Sequence, residues 1–251
     1  MTRERDAVRT RAPGREAGAE LIDLTRPISV ESSYAVWGNM LDDNPHLREI
    51  TVEYVSEFPK DNGTMCRFTM GDHTATHIDA PIHTVRGGAT LEGVDISRLF
   101  GEAIVLDMYR GHVDYGYTAD DLEQAGGDVR PGDIVLIYSG YRDVRPDERM
   151  LQTHVTVDGA RWLVDRGVKS VGCEPIGIEY LYGGYYVEGY YDRSHPDPWP
   201  VHGLLLSNDV YIIEGLTNLA RIKGERVMFA ALPLLFPGLS GSPVRAVAWR
   251  E

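Results

Sequence analysis

The 251-residue chain contains only two cysteines, Cys66 and Cys173. Two thiols this far apart in the sequence provide neither a disulfide scaffold nor the short spacing of a thiolate metal site. This scarcity is typical of a reducing compartment, and residues 1–20 lack the apolar core of a secretion signal. We therefore expect a cytoplasmic protein.

Long apolar runs and an excess of positive charge are also missing. No stretch of the sequence reaches the roughly 18 apolar residues of a membrane-spanning helix, so no membrane partner is expected. The 25 Lys and Arg residues are outnumbered by 38 Asp and Glu residues, which gives a net charge of −13. Because an acidic surface without a basic patch repels a phosphate backbone, nucleic acid is not expected as a partner either.

Several common catalytic motifs are absent from the sequence. Residues 238–242 (GLSGS) lack the final glycine of a G-x-S-x-G nucleophile elbow. Neither G-x-x-x-x-G-K-[ST] nor G-x-G-x-x-G occurs, which argues against a phosphate loop and a dinucleotide fingerprint. Cys173 ends a predicted buried strand, and we interpret it as core packing and not as a nucleophile.

Recurring strand–helix–strand segments predict a mixed α/β fold, which we assign to one domain over residues 21–251 after a disordered tail at residues 1–20. Short β-branched or apolar runs predict strands at residues 21–24, 49–55, 66–70, 102–108, 134–138, 168–173, 209–213 and 226–232. Helical spacing predicts helices at residues 118–125 and 158–166.

Residues 180–201 have an unusual composition, with six tyrosines, one tryptophan and three glycines. The segment is too long and irregular for an ordinary connection. Two interpretations stay open, an aromatic lid over a substrate and a contact between subunits.

The sequence HTATHIDAPIH, at residues 73–83, places three of the eight histidines beside an aspartate. In one straight strand His73 and His77 would lie roughly 13 Å apart, too far to bind one ion. We therefore predict a turn between them, followed by an extended stretch that carries Asp79. Nitrogen and carboxylate ligands without thiolate favour Zn²⁺ or Mn²⁺.

His83 lies four residues beyond Asp79, across a proline. It could be a further ligand, or a free imidazole that transfers a proton near neutral pH; we prefer the second role. Farther along the chain, Glu214 ends an apolar run, where a buried carboxylate is costly unless it is paired or coordinated. His202 lies twelve residues before it.

These segments resemble the cyclase family of metal-dependent hydrolases, which includes kynurenine formamidases and isatin hydrolases. HTATHIDAPIH is similar to the family signature H-x-G-T-H-x-D-x-P-x-H, with Ala75 in place of the glycine. The other matches follow in chain order: LIDLTRP at 21–27, DIVLIYSGY at 133–141, His202, Glu214 and SPVRA at 242–246.

The resemblance implies a role for each matching residue. His73 and His77 would ligate a first divalent metal, His202 a second one, and Asp79 and Glu214 would bridge to that second ion. His83 would be the catalytic acid/base. The family fold is an α/β domain with a swivelling β/β/α core and mixed sheet, in a homodimer or higher homo-oligomer. Because alanine stands where the family signature has glycine, the exact shape of the turn stays open. The number of bound ions, one or two, therefore also stays open.

On this basis we expect a metal-dependent hydrolase of a small, aromatic substrate. It would cleave an amide bond (formamide, lactam or imide) or a lactone with metal-activated water. Two alternatives are a cyclase or dehydratase of the same family that acts on a biosynthetic intermediate, and a metal-binding protein without catalysis.

Overall fold

The computed structural model describes residues 20–29, 50–111, 115–141, 153–179, 186–187, 190–191 and 199–250. The proposed tail therefore lies outside the described residues except for Glu20, and so does most of the aromatic segment 180–201. The assignment of 21–251 to one domain after a tail stays a prediction.

Nine strands form one mixed sheet. In chain order they are β1 (Leu21–Asp23), β4 (His77–Asp79), β5 (Phe100–Asp107), β7 (Ile134–Tyr138), β9 (Ser170–Cys173), β12 (Tyr211–Glu214), β13 (Arg226–Ala230), β14 (Gly241–Pro243) and β15 (Val247–Trp249). Three two-stranded pairs complete the described strands: β2 (Thr51–Ser56) with β3 (Met65–Thr69), β6 (Gly116–Tyr117) with β8 (His154–Val155), and β10 (Tyr186–Val187) with β11 (Tyr190–Tyr191).

The strands of the large sheet lie in the order β1-β15-β13-β5-β7-β9-β12-β4-β14. The four central strands β5, β7, β9 and β12 are parallel, and the flanking strands are antiparallel to their neighbours. Central strands β7 and β9 are buried along their whole length, as expected for parallel strands covered on both faces. The predicted mixed α/β sheet is thereby confirmed.

Few helices accompany the sheet: α1 (Ala119–Ala125), α2 (Val157–Asp165) and α3 (Pro200–Ser207), with short 3₁₀ turns at Pro81–His83, Leu91–Gly93, Ile96–Leu99 and Leu219–Arg221. Thr118 caps α1 through a capping box with Asp121, and Thr156 caps α2. Helices α1 and α2 were predicted from the sequence, whereas α3 was not. Within the described ranges, no helix has the length and apolar character needed to cross a membrane.

Hairpin β2–β3 stands apart from the main sheet and is exposed along almost its whole length. Val52 pairs with Phe68 and Tyr54 pairs with Cys66, so one face of the hairpin is apolar. Glu53 and Arg67 pair on the opposite face and form a salt bridge of 3.7 Å. An isolated two-stranded hairpin is only marginally stable in water, so this apolar face is available for a further contact.

Candidate metal centre

Strand β4, next to the edge strand β14, carries two of the predicted ligands, His77 and Asp79. It lies between β12 and β14, and His77 is the direct cross-strand partner of Glu214. Because side chains alternate along a strand, His77 and Asp79 share one face while Ile78 points into the core. All three residues of β4 are buried.

A turn places His73 over the same face, as predicted. The ring centroids of His73 and His77 are 5.1 Å apart. Ala75 occupies the left-handed region with φ 57°, a conformation that costs an alanine roughly 1–2 kcal/mol. The turn expected from the family signature is therefore present, although alanine stands in place of the glycine.

Two glycines allow the backbone to approach this turn closely. A Cβ on Gly215, which has φ +69°, would lie 2.4 Å from the carbonyl oxygen of Ala75. A Cβ on Gly241 would lie 2.7 Å from the imidazole of His73. Positions 215 and 241 must therefore be glycine for the turn that carries His73 and His77 to pack against Glu214 and Ser242.

The two carboxylates each face histidines in two directions. One oxygen of Asp79, Oδ1, lies 2.8 Å from His73 Nδ1 and 3.4 Å from His77 Nε2, and the other, Oδ2, lies 3.6 Å from His202 Nε2. Glu214 Oε2 lies 3.6 Å from His77 Nε2, and Oε1 lies 3.3 Å from His202 Nε2. Asp79 and Glu214 thus each lie between His77 and His202 and form a double bridge between these two histidines. Asp79 also contacts His73.

Each histidine of this group has its second ring nitrogen held by another partner. His77 Nδ1 lies 3.1 Å from the carbonyl oxygen of Ala75, and His202 Nδ1 lies 2.5 Å from Glu179 Oε2. His73 Nε2 lies 3.0 Å from Ser240 Oγ, whose hydroxyl donates to Asp72. Carbonyl and carboxylate oxygens only accept, and the Ser240 hydroxyl gives its own proton to Asp72. Each histidine, when neutral, therefore keeps its proton on this nitrogen and presents the other nitrogen to a metal.

His83 reaches the centre from the 3₁₀ turn after Pro81. Its ring centroid lies 4.1 Å from that of His73 and 5.8 Å from that of His202. One ligand atom each from His73, Asp79 and His83 lie within 4.8 Å of one another, as do those of His77, Asp79 and Glu214. All six predicted site residues therefore converge, but the geometry is compatible with His83 either as ligand or as acid/base.

Charge and burial oppose each other in the centre. Burial disfavours charge on His77 and His202. The hydrogen bonds that His77 donates to Asp79 and His202 donates to Glu179 outweigh this effect and raise the pKa of both histidines. Although burial raises it, hydrogen bonds from His73 and His77 hold the pKa of Asp79 well below its ordinary value.

His83 behaves differently from its neighbours. Burial, opposed by Asp79 and reinforced by the surrounding histidines, lowers the pKa of His83 to about 4 in the metal-free chain. This pKa lies below the near-neutral value that we expected for an acid/base. His83 is therefore a neutral imidazole at pH 7, able to accept a proton but weakly basic.

The residues present fit a divalent ion. Asp79 Oδ2 is buried and has no hydrogen-bond partner among the described residues, which is costly unless a cation lies beside it. The donors are imidazole nitrogens and carboxylate oxygens, the set that Zn²⁺ and Mn²⁺ accept. Cys173 is not a donor, because burial raises the pKa of its thiol and Sγ contacts the carbonyl oxygen of Pro175.

Three residues of the site were missed by the sequence analysis. Glu179 and Ser240 act on His202 and His73 through the contacts above, and only the tertiary structure brings them there. Trp199 had been noted only for its composition; its ring centroid lies 5.2 Å from that of His202 and 6.4 Å from that of His83.

A cavity of about 450 Å³ lies next to the centre. Its lining includes Phe68, Leu234, Phe236 and Leu239, with Asp72 among the polar groups. The volume is that of a pocket for a small ligand. Asp72 connects the cavity to His73 through Ser240.

Comparison with known proteins gives the centre its family context. The Cyclase family model matches residues 22–180, more than half of the 251 residues. The chain belongs to the Cyclase family. The isatin hydrolase of Roseibium aggregatum is 26% identical over 221 residues, which cover 80% of this chain and 81% of that protein. The kynurenine formamidase of Salinibacter ruber is 27% identical over 231 residues, covering 90% and 96%.

Solved structures agree with this assignment. A predicted metal-dependent hydrolase from Bacillus stearothermophilus has a TM-score of 0.70 at 29% identity, over 94% of this chain and 100% of that one. An isatin hydrolase bound to the product analogue thioisatinate has a TM-score of 0.76 at 21% identity, over 92% of each chain, and shows the same fold. The predicted family and fold are confirmed, and this family member is a metal-dependent hydrolase.

Proposed function

We propose that the chain hydrolyses the carbon–nitrogen bond of a small aromatic amide, a formamide, lactam or imide, with a lactone as an alternative substrate. The observation that carries this proposal is the double bridge of Asp79 and Glu214 between His77 and His202. Such a bridge suits two ions. The printed activities of the curated relatives, an isatin hydrolase and a kynurenine formamidase, support the choice of bond.

In the proposed site, His73 and His77 would hold a first ion and His202 a second, and Asp79 and Glu214 would contribute carboxylate oxygens between them. When bound, Zn²⁺ or Mn²⁺ supplies a Lewis acid that activates water near neutral pH and polarises a carbonyl group. His83 accepts the proton that the water loses and returns it to the leaving nitrogen or oxygen. The ring centroid of His83 lies 4.1 Å from that of His73 and 5.8 Å from that of His202, which supports this role.

The walls of the site favour an aromatic substrate. The indole of Trp199 lies beside His83 and His202, where it can contact the face of an aromatic ring. The neighbouring cavity adds phenylalanine and leucine side chains. The net charge of −13 disfavours an anionic substrate, so we expect a neutral one.

Metal analysis followed by assays tests the proposal. Protein purified without chelator should contain one or two zinc or manganese ions per chain. It should hydrolyse at least one of four compounds, an N-formyl arylamine, an isatin-type lactam, a cyclic imide and an aryl lactone. A chelator should abolish this activity and the matching metal should restore it. Absence of bound metal together with no turnover of any compound would contradict the proposal.

We also propose that the chain acts as a homodimer or higher homo-oligomer, in the cytoplasm. The exposed apolar face of the hairpin, with Val52, Tyr54 and Phe68, supports a contact with a second copy. Light scattering on the purified protein should give at least twice the mass of one chain. Phe68→Ser should shift the protein toward monomer, whereas Arg67→Ser on the opposite face should leave the mass unchanged.

A further inference from the structure

Glu179 is buried and contacts His202, the predicted ligand of the second metal position. Its oxygens accept hydrogen bonds from the start of α3. Oε1 accepts from the backbone N–H of Val201 at 2.7 Å, and Oε2 accepts from the backbone N–H of His202 at 3.1 Å. Oε2 also lies 2.5 Å from His202 Nδ1. These contacts fix both the first turn of α3 and the ring that the helix carries.

The contact with Nδ1 determines which nitrogen of His202 can face a metal. An ionised carboxylate only accepts hydrogen bonds, so the proton of the imidazole must stay on Nδ1. Nε2, which lies 3.3 Å from Glu214 Oε1 and 3.6 Å from Asp79 Oδ2, is then the nitrogen with a lone pair for the ion. A histidine on the first turn of a helix could otherwise rotate or adopt the opposite tautomer.

We infer that Glu179 is a positioning residue that holds His202 as its Nδ1–H tautomer, with Nε2 directed at the second metal position between Asp79 and Glu214. The inference rests on the proposed metal centre. Glu179 differs in this respect from Glu174, another buried glutamate. Glu174 Oε2 accepts from Ser139 and Gly140 and contacts no predicted ligand in the described structure. Glu174 therefore supplies a matched control.

Substituting both glutamates separates positioning from stability. Glu179→Gln should weaken binding of the second ion by about 10–100-fold, as outer partners of metal-bound histidines commonly do. Glu174→Gln should lower the melting temperature but leave both metal affinities within about twofold, because no ligand depends on it. Affinities are measured by titrating the full chain with zinc against a chromogenic chelator.

A second readout follows the tautomer directly. Two-bond ¹H–¹⁵N couplings in protein labelled at histidine nitrogen show which ring nitrogen carries the proton, with His202 assigned through His202→Gln. The spectra are recorded at a pH high enough for the His202 ring to be neutral. In the unmodified chain the proton should then lie on Nδ1, and Glu179→Ala should give a mixture or the Nε2–H form. Glu179→Gln should lie between the two because its amide oxygen can still accept.

The outcomes distinguish this inference from the proposed function. Unchanged second-site affinity and an unchanged Nδ1–H signal in both Glu179 variants would overturn the inference while leaving the metal centre intact. If the unmodified chain binds no zinc, the proposed function fails. The coupling measurement on the metal-free chain then still decides whether Glu179 holds the tautomer. Should Glu179→Ala fail to fold, Glu179→Gln carries the test.

Discussion

At the scale of single residues, each histidine facing the centre has a different partner on its other ring nitrogen. A backbone carbonyl holds His77, a carboxylate holds His202, and a serine hydroxyl linked to Asp72 holds His73. His83, by contrast, approaches its neighbours mainly through ring contacts. This difference favours a proton-transfer role for His83, since a metal-bound histidine is usually oriented by such a partner.

The first prediction separates His83 from the ligands. His83→Ala should retain most of the bound metal but lose activity by about 10²-fold or more, because it removes a proton carrier. His77→Ala should lose both metal and activity, since it removes a ligand on β4. Metal content by elemental analysis and turnover of the best substrate check both variants. A His83→Ala protein as depleted of metal as His77→Ala would make His83 a ligand.

The second prediction concerns protons released on metal binding. The raised pKa values of His77 and His202 in the metal-free chain mean that protons compete with the metal near neutral pH. Stability from the protonated histidines is fully present below about pH 6.5, the pKa of an unperturbed histidine, and is lost as pH rises through the raised pKa values. Metal affinity should therefore increase as pH rises from neutrality.

Calorimetric titration with Mn²⁺ in two buffers of different ionisation enthalpy measures this release. At pH 7 the binding enthalpy should depend on the buffer, and the dependence should shrink as pH rises. The same experiment on His202→Gln should release fewer protons. A binding enthalpy independent of the buffer at pH 7 would show that both histidines are already neutral.

At the scale of elements, the centre depends on how closely the turn of residues 73–77 approaches the end of β12. Gly215 follows Glu214 directly and meets the carbonyl of Ala75, so a side chain here would separate the two ligand-bearing segments. Ala75 itself is buried at φ 57°. The surrounding contacts therefore hold this alanine in a conformation that it rarely adopts alone.

The third prediction uses two glycines with similar backbone angles. Gly215→Ala should destabilise the fold by more than about 3 kcal/mol, because a left-handed alanine is combined with a backbone clash. Gly224, at φ +76°, has no heavy atom within 4 Å of an added Cβ. Gly224→Ala should therefore lose only about 1–2 kcal/mol. Urea unfolding of both variants measures the difference, and equal losses would rule out the clash.

At the scale of the whole molecule, the metal centre gathers several buried charges inside a chain of net charge −13. Asp79, Glu179, His202 and Glu214 are all buried. Burying like-charged carboxylates together is unfavourable without a cation. Bound metal should therefore stabilise the native state as well as provide the chemistry, since a preformed site does not exist in the unfolded chain.

The fourth prediction gives this stabilisation a size. An ion present at 100 times its dissociation constant should add about 2.7 kcal/mol, which raises the melting temperature of a protein of this size by roughly 5–10 °C. Removing metal with a chelator should reverse the gain. His77→Ala should show little response to zinc or manganese, and an equal rise in that variant would indicate binding elsewhere on the molecule.

The sequence by itself determined the elements and ligand types that depend on neighbours along the chain. A short continuous apolar run located β7 at residues 134–138, and the capping threonine located the start of α1. The spacing of His73, His77 and Asp79, with the family signature, indicated the metal centre and a turn within it. These features are local, because strand periodicity, helix caps and short ligand motifs involve residues close in sequence.

Only the tertiary structure decided what joins distant segments. Three-residue strands such as β4 and β14 are too short for a periodic signal. The pairing of β4 with β12 sets His77 opposite Glu214, and β14 pairs with the other edge of β4. Glu179 lies 23 residues before His202, and Ser240 lies 167 residues after His73. Sheet order and close backbone packing create these contacts, so no local pattern could reveal which oxygen would hold each histidine.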